Sequence, residues 1–429
     1  MMTHTDQTET AFDGDVVIAG GGLAGMTLAL ALRQAGLSVA LVDRQPYETQ
    51  LAPDFDGRAS ALAYTSWRLF EALGVAERLK PHTARIEHIL VCDGRPYGGT
   101  RPGGPGPDTL HFDRREISDG ETGEPLGWMA ENRHTRIALL DTLREEGGTE
   151  FFAPVAVERF DARSDGVDVF LADQRVLKGK LLVACDGRFS RIRQQEKIRT
   201  SGWMYNQKGI VTTVRHAEPH NGVAYEYFMP GGPFAILPLP DNRSSLVWTE
   251  ASETADAIVG LEAEGFQEEL EKRFGDFLGE VRPEGPRFTY PLGLTYSERF
   301  FGDRIAYVGD AARGIHPLAG QGFNLGIRDT AALAEVLSDA RRCGLDLGAP
   351  ATLSRYQAWR RFDSATLAMG TDIFNRLFSN DIEPLRRVRG LGLSLVNKIG
   401  PARRFFMRQA GGETGDPPRL LRGQRLDAA

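Results

Sequence analysis

The stretch Asp15 to Arg44, DVVIAGGGLAGMTLALALRQAGLSVALVDR, constrains this chain more than any other. Val16 to Ala19 is a wholly apolar run, as a strand buried on both faces of a parallel sheet requires. Gly20, Gly22 and Gly25 follow at G-x-G-x-x-G spacing, and the Leu- and Ala-rich run from Met26 to Gln34 predicts a helix that Gly36 ends. Ser38 to Val42 is a second apolar strand, with Asp43 and Arg44 at its end. Strand, glycine turn, helix and strand in this order predict a βαβ unit that binds a dinucleotide. Gly20 permits the tight turn, Gly22 lets backbone approach a pyrophosphate, and Gly25 lets helix and strand pack closely. The helix N-terminus offers unpaired N–H groups to the phosphates, and Asp43 is placed to accept hydrogen bonds from a ribose.

The remaining composition narrows the class. The chain has 429 residues, 41% of them hydrophobic and 25% charged, enough for two or three domains' worth of core. A net charge of −7 argues against a nucleic-acid partner. Cys92, Cys185 and Cys343 have neither pairing nor ligand spacing, so a reducing cytoplasm is expected. His216 and His220 flank Pro219 without further ligands nearby, and no metal site is expected. Val16 to Leu32 is uncharged, but its acidic flank (Asp6, Glu9, Asp13, Asp15) and internal glycines do not suit a signal or a membrane span.

Along the chain, residues 1–13 are polar and predict a disordered tail. Between Asp56 and Gly74, the residues Leu62, Trp67, Leu69, Phe70 and Leu73 suit a helix, with Arg58 just ahead of it, either as a cofactor contact or as an ordinary surface arginine. The Gly/Pro-rich run after Asp93 predicts a loop or a long-tipped hairpin, and Asp165-Gly166 a hairpin turn. From Gly209 to Glu250 the pattern alternates (GIVTTVRH, AYEYFM, AILPL, SSLVWTE), as an antiparallel sheet does. Its Tyr225, Tyr227, Phe228, Phe234 and Trp248 either shape a pocket or fill a core. Helices are expected over Leu261 to Phe274 and Leu353 to Phe378, with a Leu/Ala-rich helix running to Ala340.

Two further segments end an apolar strand in an aspartate. LVACDGRFSRIR places Asp186-Gly187 after a strand, and YVGDAARGIHPLAGQGFNLGIRD places Gly309-Asp310 after another. The second leads through Gly320, Gln321 and Gly322 into a helix beginning near Phe323-Asn324. An aspartate at a strand end can take sugar or ribitol hydroxyls, and a glycine loop at a helix start can stabilise negative charge on a flavin ring.

Together the three motifs resemble those of the flavoprotein aromatic hydroxylases of the para-hydroxybenzoate hydroxylase type. GPFAILPLP, LVWT, GDAARGIHPLAGQGFNLGIRD and the tail motifs RGLGL and ARRFFMRQAGG are most similar to the ubiquinone-biosynthesis hydroxylases, over about residues 14 to 411. The resemblance implies an α/β fold: a Rossmann-like FAD-binding domain, parallel sheet with helices, built from residues 14–84, 127–194 and 287–345. It implies an inserted antiparallel-sheet substrate domain (85–126 and 195–286), a helical C-terminal region (346–411) and a flexible tail (412–429).

By position, the resemblance gives Gly20, Gly22, Leu23, Ala24 and Gly25 the FAD pyrophosphate, and Asp43 with Arg44 the adenosine ribose. Arg58 would lie near the phosphates, with Asn132 or Arg133 a further contact. Asp186 and Gly187 would belong to a motif shared by FAD and nicotinamide nucleotide, Gly309 and Asp310 to the ribitol site. Pro317, Gly320, Gln321, Gly322, Phe323 and Asn324 would line the isoalloxazine, with no residue marked as a catalytic base. Arg313 stands where many relatives have histidine, so it and His316 are either structural or direct cofactor contacts. The family's chemistry is reduction of FAD by NAD(P)H, capture of O2 as a flavin hydroperoxide, and hydroxylation of an electron-rich ring away from water.

The C-terminal stretch adds Arg386, Arg387, Arg389, Lys398, Arg403, Arg404 and Arg408 with no acid between Pro384 and Gly412. Apolar residues at helical spacing accompany them. A basic amphipathic helix of this kind suits an anionic membrane surface, peripheral attachment to the inner membrane and an isoprenoid-bearing substrate; a docked helix with a solvated basic face fits the same pattern. The expectation is therefore a cytoplasmic, peripherally membrane-associated monooxygenase of a polyprenylated phenol. The open alternatives are a hydroxylase of a soluble aromatic, an isoprenoid reductase or epoxidase, and a non-catalytic subunit of a quinone-biosynthesis complex.

Overall fold

The computed structural model describes residues 10–427 apart from 54, 94–108, 118–122, 316–319 and 379–398. Its first layer is a parallel sheet in the spatial order Ile305–Tyr307, Val176–Ala184, Thr10–Ala19, Val39–Val42, Thr149–Phe152. The central strand carries Val16, Val17 and Ile18 at zero exposure, since both faces of the sheet are covered. The helices Leu23–Gln34, Asn132–Glu146 and Gln321–Arg342 pack together over it. A hairpin, Val157–Ala162 and Val167–Leu171, turns at Asp165-Gly166 and pairs antiparallel with the start of the Val176–Ala184 strand.

The second layer is an eight-stranded sheet, in the order Arg313–Gly314, Val281–Ser297, Thr200–His216, Arg243–Ala251, Gly232–Leu239, Val223–Met229, His88–Asp93, Thr109–Asp113. All its pairings are antiparallel except that of Val223–Met229 with His88–Asp93. Alternation along each strand separates its faces. Ile210, Tyr227, Phe234, Leu246 and Trp248 point to one side, where Ala255, Ile258, Phe266 and Phe274 from the helices Ser252–Val259 and Ala263–Phe274 cover them. The other face looks toward the first layer. A three-stranded sheet (Ala59–Ala63, Gly127–Glu131, Thr83–Ile86) sits between the two.

Four expectations change. Residues 10–13, read as disordered, pair with residues 176–178, because Phe12 can be buried there. Residues 59–63, read as the start of a helix, form a strand hydrogen-bonded to Gly127–Glu131, and the helix runs from Tyr64 to Ala72. Residues 287–297, assigned to the cofactor domain, continue the Val281–Ser297 strand of the second sheet. The end of the chain is docked, not flexible: Leu420, Leu421 and Leu426 join the main core. Arg419 pairs with Glu335 and Asp339 at 3.1 and 3.0 Å, and the Leu426 N–H donates to Gln34. Of the basic residues expected between Pro384 and Gly412, Arg386, Arg387, Arg389 and Lys398 lie outside the described residues, and Arg403, Arg404 and Arg408 lie on the Gly400–Gly411 helix.

Leu420 is fully buried, so Leu420→Ala should cost about 2–5 kcal/mol of unfolding free energy. Chemical denaturation checks this, and an unchanged midpoint would return the tail to the solvent.

Candidate active site

The glycine turn is built by contacts that exclude side chains. A Cβ on Gly25 would lie 1.8 Å from the Gly20 carbonyl oxygen, so helix and strand could not meet at their present spacing. Gly20 has φ +110°, and a Cβ there would meet the Cys185 carbonyl oxygen at 2.3 Å. Gly22 differs: nothing lies within 4 Å of the place a Cβ would take, and it borders open space. No side chain caps the Leu23–Gln34 helix and no acid occupies its first turn, so its first N–H groups and positive dipole end are left for an anion. Asp43 braces the turn, accepting from the Gly21 N–H at 2.7 Å and the Gln45 N–H at 2.8 Å. Arg44 is exposed.

Arg58 is held by the buried carboxylate of Asp56 through two hydrogen bonds, of 2.8 and 2.9 Å. Its guanidinium lies 4.8 Å from the centre of the Tyr290 ring. Asp56 also receives Arg136 at 2.6 Å and the Asn132 amide at 3.3 Å. Burial alone would raise the pKa of Asp56, but the two guanidinium groups overcome it and hold the carboxyl below the usual range. Asn132 and Arg133 separate cleanly: Asn132 borders the cavity described below, whereas Arg133 turns away to the Leu51 carbonyl at 2.7 Å.

At the other end, Asp186 caps the Arg191–Gln195 turn by accepting the Arg191 N–H at 2.9 Å, and Gly187 borders the cavity. Asp310 presents its carboxyl to the same cavity. Enclosure by protein raises its pKa, opposed by the charges of Arg58, Arg188 and Arg313. Gly320, at φ +63°, opens the Gln321–Arg342 helix without a side-chain cap. Gln321, Gly322 and Phe323 border the cavity beside it. Asn324 is also a clamp: its Oδ1 accepts from the Ala63 N–H and the Ser66 hydroxyl at 3.0 and 2.8 Å, and its amide donates to the Ala61 carbonyl at 2.7 Å. His316 and Pro317 lie outside the described residues.

Arg313 is absent from the cavity wall. It grips Asp329 through two 2.8 Å bonds, with both side chains almost wholly buried, and so has the structural role of the two that its sequence position left open. Asp329 also accepts the Gly309 N–H at 3.0 Å and Arg360 at 2.9 Å.

Gly22, Leu23, Ala24, Arg58, Asn132, Gly187, Gly309, Asp310 and Gly320 to Asn324 line one cavity of about 1290 Å³, whereas Gly20, Gly25, Asp43, Arg44, Arg133 and Asp186 do not border it. One end is the glycine turn, the Arg58 region and the Gly320 helix start. The other is the inner face of the antiparallel sheet: Val211, Ala224, Phe228, Ala235, Leu237 and Val247. Phe228 and Tyr225 therefore do border the pocket, whereas Tyr227, Phe234 and Trp248 fill the opposite core. One residue that the sequence reading passed over stands out. Glu226, between Ala224 and Phe228 on the cavity face, is only 9% exposed. Among the described residues it has no hydrogen-bond or ion-pair partner, and burial pushes its pKa up to about 8. Its signal in the sequence is an acid at an apolar phase of the AYEYFM alternation. Elsewhere, His88, His111 and Asp113 converge at the sheet edge, but both Asp113 oxygens already receive Arg115.

The residues fit FAD. Gly22 leaves space at an uncapped helix start, and an enclosed carboxylate (Asp310) and a second uncapped helix start (Gly320) share the cavity with it. The fold and this site define an FAD-dependent hydroxylase. The chain belongs to the family described as "FAD binding domain", whose model matches residues 13–365. It is 45% identical to the ubiquinone hydroxylase UbiL of Rhodospirillum rubrum, over 96% of this chain and 93% of that protein. It is 31% identical to the 3-demethoxyubiquinol 3-hydroxylase of Escherichia coli, over 93% of this chain and 98% of that one. The crystal structure of the p-nitrophenol 4-monooxygenase PnpA of Pseudomonas putida shares the fold, with a TM-score of 0.78 at 18% identity, covering 94% of this chain and 99% of that one.

Two outcomes follow from the geometry. Gly25→Ala should lose about 1–3 kcal/mol of stability and most of its bound flavin, read as flavin absorbance per chain; full retention would contradict the close packing at Gly20. A carboxyl whose folded pKa is raised loses the folded state stability as pH climbs from its unfolded value of 4.5 toward about 8. Glu226→Gln should therefore melt at a higher temperature than wild type at pH 8 and no higher at pH 5. Equal melting curves at both pH values would place this carboxyl in water.

Proposed function

We propose that this chain is an FAD-dependent monooxygenase that hydroxylates the aromatic ring of a polyprenylated phenol in ubiquinone biosynthesis, with NAD(P)H as electron donor. The observation that carries this is the single continuous cavity, with a dinucleotide-type glycine turn at one end and an apolar sheet face at the other. The relatives named above as hydroxylases of ubiquinone and demethoxyubiquinol supply the substrate class.

FAD, when bound, supplies the oxygen-activating chemistry. The chain's own residues do the rest. Gly20, Gly22, Leu23, Ala24 and Gly25 would receive the pyrophosphate, Asp43 the ribose, and Asp310 the ribitol. Arg58 lies beside the phosphates, oriented by Asp56. Gly320 to Asn324 present backbone N–H groups to the ring. The apolar sheet face holds the substrate ring away from water.

The far end of the cavity supports a lipid-bearing substrate. In the Gly400–Gly411 helix, Met407 and Gly411 border the cavity while Arg404 and Arg408 face outward, and Phe405 is 60% exposed. An apolar exit beside exposed arginines suits an isoprenoid tail leaving toward anionic headgroups, so the protein would act at the cytoplasmic surface of the inner membrane or within a quinone-biosynthesis complex. Among the described residues no helix is long and apolar enough to cross a membrane.

The test is quinone profiling in a strain lacking the gene. An under-hydroxylated prenylated phenol should accumulate, and the wild-type gene should restore the quinone where a Gly25→Ala gene does not. Unchanged quinone and intermediate levels would end the pathway assignment.

A further inference from the structure

We infer that the Glu226 carboxylate is the proton acceptor for the phenolic hydroxyl of the ring substrate. This rests on the phenolic substrate class proposed above. On the Val223–Met229 strand, Ala224, Glu226 and Phe228 share the cavity face, and the positions paired with Glu226 on the neighbouring strands are Ala235 and Val91. An acid in such a setting costs free energy unless it has a partner, and among the described residues it has none. The cavity it borders can admit such a partner.

Among the described residues no charged group competes for it. On the strands packed around it, Cys92 lies in the opposite core, and His88 turns to His111 and Asp113. Arg243 pairs with Glu131 and Glu284, and Glu250 is taken by Arg273 and the Trp248 indole. Tyr225 and Tyr227 of its own strand pack with Phe277. Burial alone accounts for the upward shift of its pKa to about 8, which brings it within about two units of an ordinary phenol. Such a carboxyl is mostly protonated at neutral pH, and its ionised fraction, which grows as pH rises through about 8, is a stronger proton acceptor toward a phenol than an ordinary carboxylate.

The proton balance closes on the residue. The phenol O–H proton passes to a Glu226 oxygen, leaving a phenolate whose ring is richer in electrons at the carbon to be hydroxylated. After oxygen transfer that carbon carries both H and OH, and the ring oxygen is a ketone. Loss of the C–H proton to water restores aromaticity while the Glu226 carboxyl returns its proton to the ring oxygen. Glu226 ends as it began, and the oxidant and reductant are the O2 and NAD(P)H of the hydroxylation itself.

The experiment uses the FAD-loaded full chain, NADPH and a series of short-chain prenylated phenols whose ring substituents vary the phenolic pKa. Wild type should show kcat/KM rising with pH through an ionisation near 8. Glu226→Gln, at equal flavin content, should lose about 10²-fold or more in kcat, lose the pH rise, and lose least on the most acidic phenols. Should Glu226→Gln fail to hold flavin, Glu226→Asp carries the test, with partial turnover and a displaced pH rise expected. A Glu226→Gln enzyme with wild-type kcat and pH profile overturns the inference, as does a Glu226→Asp enzyme with no pH rise of its own. If wild type hydroxylates none of the phenols, the proposed substrate class fails and this role with it.

Discussion

A single buried carboxylate, Asp329, ties the Gly309-Asp310 turn and the Gln321–Arg342 helix to the C-terminal region. Its two oxygens receive the Gly309 N–H, both arms of Arg313, and Arg360 from the Pro350–Phe378 helix. Arg360 continues to Asp363 at 2.8 Å, and Arg328 reaches the same acid at 3.3 Å. Three arginines thus face two aspartates in a buried cluster, a net positive charge that would be costly alone. The excess is met by backbone: Arg328 also donates to the Gln409 and Ala410 carbonyls at 3.2 and 2.9 Å. These carbonyls lie at the negative end of the Gly400–Gly411 helix. The turn that presents Asp310 and the helix that borders the cavity exit are therefore fixed by one network. The Arg313 fork spans both oxygens of Asp329.

The antiparallel sheet solves a different problem, making one surface serve as both core and pocket. Period-2 alternation sends Tyr227, Phe234 and Trp248 into the packing against two helices and leaves small or slender residues, Ala224, Ala235 and Val247, facing inward. A shift of register by one residue would put the aromatics into the cavity and fill it. The large residues behind the sheet keep it rigid, and the small ones in front leave room for a ring and its substituents.

The cofactor end was legible in the sequence because it is local: the strand, three glycines, helix and Asp43 lie within thirty residues, and the steric contacts that demand glycine at 20 and 25 arise inside that unit. The alternation from Gly209 to Glu250 likewise announced the second sheet. What the sequence hid depends on distant partners. Ala59–Ala63 reads as helix by composition, and only pairing with Gly127–Glu131 makes it a strand. The tail from 412 is polar overall, yet the Leu420-Leu421 pair and Leu426 find one core. Arg313 could be read either way until Asp329, sixteen residues on, was placed against it. Glu226 was unremarkable as one acid among many until the neighbouring strands put only apolar groups around it.

That last point bears on how the cavity is built. A buried, unpaired acid in a strand would ordinarily be replaced by an apolar residue that stabilises the sheet. Asp310, the other carboxyl bordering the cavity, has the charges of Arg58, Arg188 and Arg313 to oppose the upward push on its pKa, and Asp56 is fully paired. The chain therefore neutralises its acids along the cofactor end and leaves one without compensation at the ring-binding end. Cofactor-facing groups must stay charged and fixed to hold a ligand that remains bound, so they are braced. A group that exchanges a proton with each passing substrate cannot be braced without losing its basicity, because any arginine strong enough to stabilise its charge would also lower its pKa. The asymmetry between Asp56 and Glu226 follows from that difference in task.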